Sequence, residues 1–85
     1  MGREESIGRL ALYLQENLQM LPATSKMAAR RYVAEFCSER EIEDIGNGRE
    51  AEFGKWLAGE FSKTGLVKED LVVKVEADFR AGSYG

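Results

Sequence analysis

Apolar side chains recur every third or fourth residue along most of this chain, with polar side chains filling the intervals. Over residues 4–21, Ile7, Leu10, Ala11, Leu14, Leu18 and Leu21 share one helical face, and Arg9, Gln15, Glu16 and Gln19 fall largely on the other. Leu12, Tyr13 and Met20 widen the stripe, which predicts contact with more than one neighbour. Pro22 is expected to close this segment, because proline disfavours helical geometry in the residue before it. Thr24 or Ser25 then caps a second helix by accepting an orphan N–H of its first turn. Ala29, Val33 and Phe36 form one row of that helix, flanked by Ala28, Tyr32 and Cys37, and the pattern carries it to about Cys37.

The phase then slips. Ile42 and Ile45 do not continue the row, and Ser38-Glu39-Arg40-Glu41 has the S-x-x-E form of a capping box. The pattern predicts a break near Ser38, a short helix over residues 39–45, and Gly46 in the left-handed position that ends it. Asn47-Gly48-Arg49-Glu50 reads as the next cap. Phe53, Trp56, Leu57 and Phe61 follow on one face as the densest aromatic cluster of the chain. Gly54 and Gly59 weaken that helix by up to about 1 kcal/mol each relative to alanine, and either suits the close approach of another backbone. Ser62-Lys63-Thr64-Gly65 reads as a turn.

Residues 66–79 fit two periods. As a helix they place Val67, Leu71, Val72, Val75 and Phe79 on one face, with Asp70–Lys74 and Glu76–Arg80 as favourable pairs and Gly82 as a stop. As a strand, Val73, Val75, Ala77 and Phe79 alternate with charged residues. The chain offers no second strong strand, which favours the helix. The expected architecture is therefore all-α: a small bundle of four to five short helices in one domain over residues 1–80, with a flexible tail at 81–85. The alternative is an α fold with a C-terminal strand at 71–79 that pairs between subunits.

Length and composition narrow what such a bundle can be. Eighty-five residues make one domain with a thin core. The chain has no histidine, and Cys37 is its single cysteine, so an internal disulfide and a Cys/His zinc site are both excluded. Small domains without those staples gain stability from a partner chain, which makes a homo-oligomer, at least a homodimer, the expectation. Hydrophobic residues at 44% and charged residues at 32% give an ordinary globular balance. The net charge of −3 offers no general attraction to nucleic acid or an anionic membrane. No apolar run approaches the length of a membrane span, and the acidic start is unlike a signal peptide, which points to a cytoplasmic protein. Met1-Gly2 followed by Ser6 formally completes a myristoylation pattern, but Glu4 and Glu5 leave no basic supplement for anchoring.

Candidate chemistry is sparse. Without histidine the commonest general acid–base group is missing, and no Ser-His-Asp or Cys-His arrangement can form. Cys37 sits on an apolar helical face, the usual place of a small buried hydrophobe. Glu39, Glu41, Glu43, Asp44, Glu50 and Glu52 crowd one region without the alternating pattern of a calcium loop, so a solvated acidic surface is expected. No cofactor, metal or catalytic residue is implied, and an enzyme is not expected. The expected function is a small protein-interaction or regulatory module that acts through helical surfaces and self-associates. Leu12, Tyr13, Met20 and Val73 are its candidate apolar contacts. Glu43 and Asp44 are candidate contacts for another protein with a basic surface. The alternative is a helix-turn-helix DNA-binding regulator using residues 39–63, with Arg49, Lys55, Arg30 and Arg31 against phosphate. Glu50, Glu52 and Glu60 on the same helix oppose it, so nucleic acid is disfavoured.

Overall fold

The computed structural model describes residues 2–46 and 48–82. Among the described residues four helices follow one another: α1 (Arg3–Leu18), α2 (Pro22–Arg40), α3 (Glu50–Thr64) and α4 (Glu69–Arg80). The described residues contain no strand, so the small all-α bundle is the fold and the strand alternative at 71–79 is set aside. The helix wins because it buries Val75 and Phe79 on one face. It also sets Glu69 and Asp70 at its N-terminus and Arg80 at its C-terminus, where each complements the helix dipole. Glu76 pairs with Arg80 as the spacing implied, but Lys74 turns to Asp78 rather than back to Asp70.

Several boundaries depart from the sequence pattern, each for a local reason. α1 stops at Leu18, where Gln19 takes a left-handed conformation (φ 60°), so Pro22 does not end it. Pro22 instead opens α2, where its fixed φ fits and its missing N–H has no helical partner to lose. Ser25 therefore lies inside the first turn of α2, buried, with its hydroxyl donating to the Pro22 carbonyl at 2.8 Å; neither it nor Thr24 is the cap. α2 passes through Ser38 and breaks three residues later at Glu41, whose φ is 54° and ψ 46°. Residues 41–46 form no helix, so the short helix expected over 39–45 is absent and the left-handed residue is Glu41, not Gly46. Continued as a helix, Ile45 would face away from Val33 and Phe36. The break instead turns it inward until it is fully buried, and Asp44 accepts the Gly46 N–H at 2.7 Å to hold the turn. The cap expected at Asn47 lies outside the described residues; Arg49 is the N-cap of α3 and makes no side-chain capping bond. Residues 62–64 are the last turn of α3, which Gly65 ends at φ 68°. Ala81 and Gly82 form a turn, and the rest of the expected tail, 83–85, lies outside the described residues.

Ring contacts fix the topology. Tyr32 meets Phe61 and Phe36 meets Phe53, so α2 and α3 run antiparallel. Phe53 meets Phe79, so α4 runs antiparallel to α3; Tyr13 meets Phe79 while Asn17, a turn later in α1, accepts from Lys74, earlier in α4, so α4 also runs antiparallel to α1. The result is an up-down-up-down arrangement with the α1–α2 and α3–α4 connections at one end and the α2–α3 connection at the other. Phe36, Phe53, Leu57, Phe61, Leu10 and Leu14 are buried as expected, while Trp56 and Leu18 are half-buried against that core. Cys37 is buried beside them.

Packing within the two hairpins, α1/α2 and α3/α4, is much closer than packing between them. Gly54 shows how close. A Cβ added there would fall on Cβ of Phe79 and lie 2.7 Å from its Cγ, so α4 occupies the space a side chain would need. Gly59, one and a half turns on, faces open space. Between the hairpins the backbones of α2 and α3 stay apart, and Tyr32, Phe36, Phe53, Trp56 and Phe61 fill the seam edge to face.

Candidate interaction surface

Among the described residues five large apolar side chains are exposed: Leu21 (72%), Met27 (73%), Leu66 (63%), Val73 (64%) and Leu12 (55%). Their distribution separates them. Leu12 and Val73 stand singly on the outer faces of α1 and α4, which is ordinary for a small protein. Leu21, Met27 and Leu66 share the end where the two hairpin connections lie. Leu21 precedes α2 and Leu66 precedes α4, while Met27 is five residues into α2, about 8 Å along its axis. Thr24, Met27, Ala28 and Arg31 line a shallow groove there. Beneath this end Met20, Val67 and Val72 are half-buried and continue the apolar surface into the core.

The charges of this end are mixed. Lys26, Lys63 and Lys68 are exposed, as are Glu69 and Asp70 in the first turn of α4. Lys63 reaches Glu60 at 3.5 Å, while Lys26 and Lys68 make no ion pair among the described residues. The opposite end is richer in carboxylates. Glu41 and Glu43 are exposed there, and Arg40 pairs with both Glu52 (2.8 Å) and Glu39 (3.3 Å).

The remaining sequence candidates scatter. Tyr13, expected as a surface contact, is buried within its own chain. Its ring packs on Phe79 and its hydroxyl donates to Asp78 at 2.6 Å. This is a correction with a simple cause: α4 packs on the flank of α1 that Tyr13 occupies. Lys74 completes the network by bonding Asp78 (2.6 Å) and Asn17 (3.0 Å). Burial raises the Tyr13 hydroxyl well above its ordinary value, and the Asp78 carboxylate adds to the shift. The bonds from Lys74 and Tyr13 hold Asp78 below the usual carboxylate range. Asp44 is tied to the backbone of Gly46, and the Glu43 carbonyl accepts Arg3 Nε at 3.1 Å, leaving its carboxylate outward.

Three of the four phosphate-facing candidates are already engaged. Arg30 bridges to Glu4 at 3.1 Å and Arg31 to Glu35 at 3.1 Å; Arg49 lies 3.9 Å from Glu52. Lys55 lines a cleft with Arg40, Glu52, Trp56, Gly59 and Lys63. There the Trp56 indole N–H donates to Glu39 at 2.9 Å, and Arg40 lies 4.2 Å over the Phe36 ring. With no helix over residues 41–46, the helix-turn-helix outline expected across 39–63 is not formed. Among the described residues no group of three or more Cys, Asp and Glu side chains gathers as a metal site, and no helix is long and apolar enough to cross a membrane.

Sequence reasoning therefore missed the apolar end. Part of its signal lies in the sequence, since Met27 is opposite the row of Ala29, Val33 and Phe36; Leu21, expected on the core face of the first helix, is exposed instead because α1 stops at Leu18. Compared with known proteins, the chain matches no family model, no curated protein and no solved structure.

Proposed function

We propose that this chain is a small non-enzymatic protein-interaction module, and that it self-associates through the end formed by Leu21, Met27 and Leu66. The single observation that carries this is the gathering of those three exposed side chains at one end. A second copy is the natural occupant because the end carries both signs of charge. Lys26, Lys63 and Lys68 of one molecule can meet Glu69 and Asp70 of the other across a two-fold axis. The acidic end lacks that balance and stays outside the contact, where Glu43 remains open to another protein with a basic surface. Charged residues are in any case depleted from interface cores.

Magnitudes set the strength. Burying three side chains on each of two copies, six in all and each about seven-tenths exposed, yields at most roughly 6–13 kcal/mol. Association itself costs about 4–15 kcal/mol and offsets most of this, so only a weak dimer is expected, populated at high micromolar concentration. Sedimentation equilibrium tests it. Wild type should show a concentration-dependent dimer that the double variant Met27→Ser, Leu66→Ser loses while keeping its helical circular dichroism. A single monomer mass at high micromolar concentration, or a dimer indifferent to both substitutions, ends the proposal.

A further inference from the structure

The segment around Glu41 sets local preference against the fold. Residues 38–45 contain no glycine or proline, and their charged and isoleucine side chains allow helix throughout. Yet α2 stops at Arg40, and Glu41 takes a left-handed conformation that suits glycine rather than a residue with a Cβ. Long-range and turn contacts impose the break. Ile45 is fully buried, Asp44 accepts the Gly46 N–H, and Arg3 bonds the Glu43 carbonyl from forty residues away.

This break is also the joint between two separately packed halves. α1/α2 and α3/α4 are each close-packed hairpins, whereas the two halves meet through the aromatic seam, the Arg40–Glu52 and Trp56–Glu39 contacts beside it, and the Tyr13–Asp78–Lys74–Asn17 network between α1 and α4. If α2 ran on through Ile45, the α3/α4 hairpin would swing off that seam. The surface complementary to each exposed half would then be the other half of a second copy, with the same ring contacts remade between molecules. Ile42 and Ile45 would project from the side of α2 opposite Val33 and Phe36, where the extended helices of two copies can cover them.

We propose that the chain also forms a dimer by exchanging its α3/α4 hairpin, with residues 41–46 as the hinge. Such exchange gives up the hinge contacts of Ile45, Asp44 and Glu43, keeps the native contacts between the two halves and adds the helix that the monomer denies. It does not rest on the apolar end, and a test can keep the two apart. Exchange requires the seam to open, so its dimer forms and dissociates slowly, whereas a surface contact re-equilibrates on dilution.

The experiment uses the full chain carrying Met27→Ser and Leu66→Ser, so that the apolar-end contact is removed. Glu41→Gly and Glu41→Ala are each added to it. Glycine relieves the left-handed residue and weakens the continued helix; alanine does the reverse at the same site. Each protein is unfolded in urea, refolded at high concentration, diluted, and followed by sedimentation velocity over hours. The expected result is a slowly decaying dimer whose yield is at least about tenfold higher for Glu41→Ala than for Glu41→Gly, since both chains of each dimer contribute the preference. Equal yields, monomer alone in both variants, or a dimer lost within the dead time of dilution would overturn the proposal.

Discussion

The two glycines of α3 allow one chemical change to be made twice with opposite results. Gly59→Ala adds a methyl group to an exposed helical position with no atom within 4 Å outside its own helix. The expected effect is the helix-propensity gain alone, about 0.5–1 kcal/mol of stabilisation. Gly54→Ala makes the same gain and then meets α4. The new methyl lies on Phe79 Cβ and 2.7 Å from its Cγ. The obstructing Cβ is fixed to the α4 backbone, so no side-chain rotation relieves the clash and the helices must separate. Separation loosens the Phe79 ring from Phe53 (centroids 5.5 Å) and from Tyr13 (5.3 Å). Overpacking of this kind costs about 1–3 kcal/mol, and the dependence of two ring contacts on the same helix places the cost at the upper end. The net expectation is destabilisation by about 1–2 kcal/mol, or some 4–16 °C in midpoint for a domain of this size. Paired urea and thermal unfolding monitored at 222 nm measures both variants. If Gly54→Ala is as stable as Gly59→Ala, the close α3–α4 packing is wrong.

Two further measurements probe the core and the polar network. Phe61→Ala removes a fully buried ring that contacts Tyr32 and is expected to cost about 3–5 kcal/mol; an unchanged urea midpoint would count against its place in the core. Tyr13 titrates above its unfolded value, so its contribution is complete below about pH 10 and is lost as pH rises toward the folded value. Asp78 titrates below its unfolded value, so its contribution is present above about pH 4 and is lost as pH falls through the folded value. Tyr13→Phe should therefore flatten part of the alkaline fall in stability and Asp78→Asn part of the acid fall; profiles parallel to wild type at both extremes would refute the linkage.

The helices were legible where a core face repeated without interruption. Leu10 with Leu14, Val33 with Phe36, and Phe53 with Leu57 and Phe61 kept their phase, and each pair or triplet is buried. Residues 66–79 remained ambiguous because Val73 and Ala77 satisfy a period of two as readily as Val75 and Phe79 satisfy a period near four. Only packing against α1 and α3 separates them, and that information is not local. The same holds at residues 39–45, where the local pattern was right about a phase change and wrong about its remedy. A helix there would have turned Ile45 to solvent, and long-range burial outweighed propensity. Tyr13 was misplaced because a residue on the flank of an apolar stripe is exposed or buried according to where a third helix lies. The apolar end is hidden in the pattern because Leu21 continues the spacing of the first stripe although α1 stops at Leu18, and Leu66 precedes α4 and belongs to no stripe.

Cys37 gives the molecule a native reporter. It is the only thiol in the chain and it is 1% exposed, so an alkylating reagent in solution meets almost none of its surface while the bundle is closed. Modification must wait for α2 to become accessible. At reagent concentrations where reclosing outruns alkylation, the observed rate is the intrinsic thiol rate scaled by the open fraction, and so reads the opening equilibrium directly. At higher concentrations it becomes the opening rate itself. Both regimes are reachable in the unaltered chain, with no engineered label and one reaction product to count by mass.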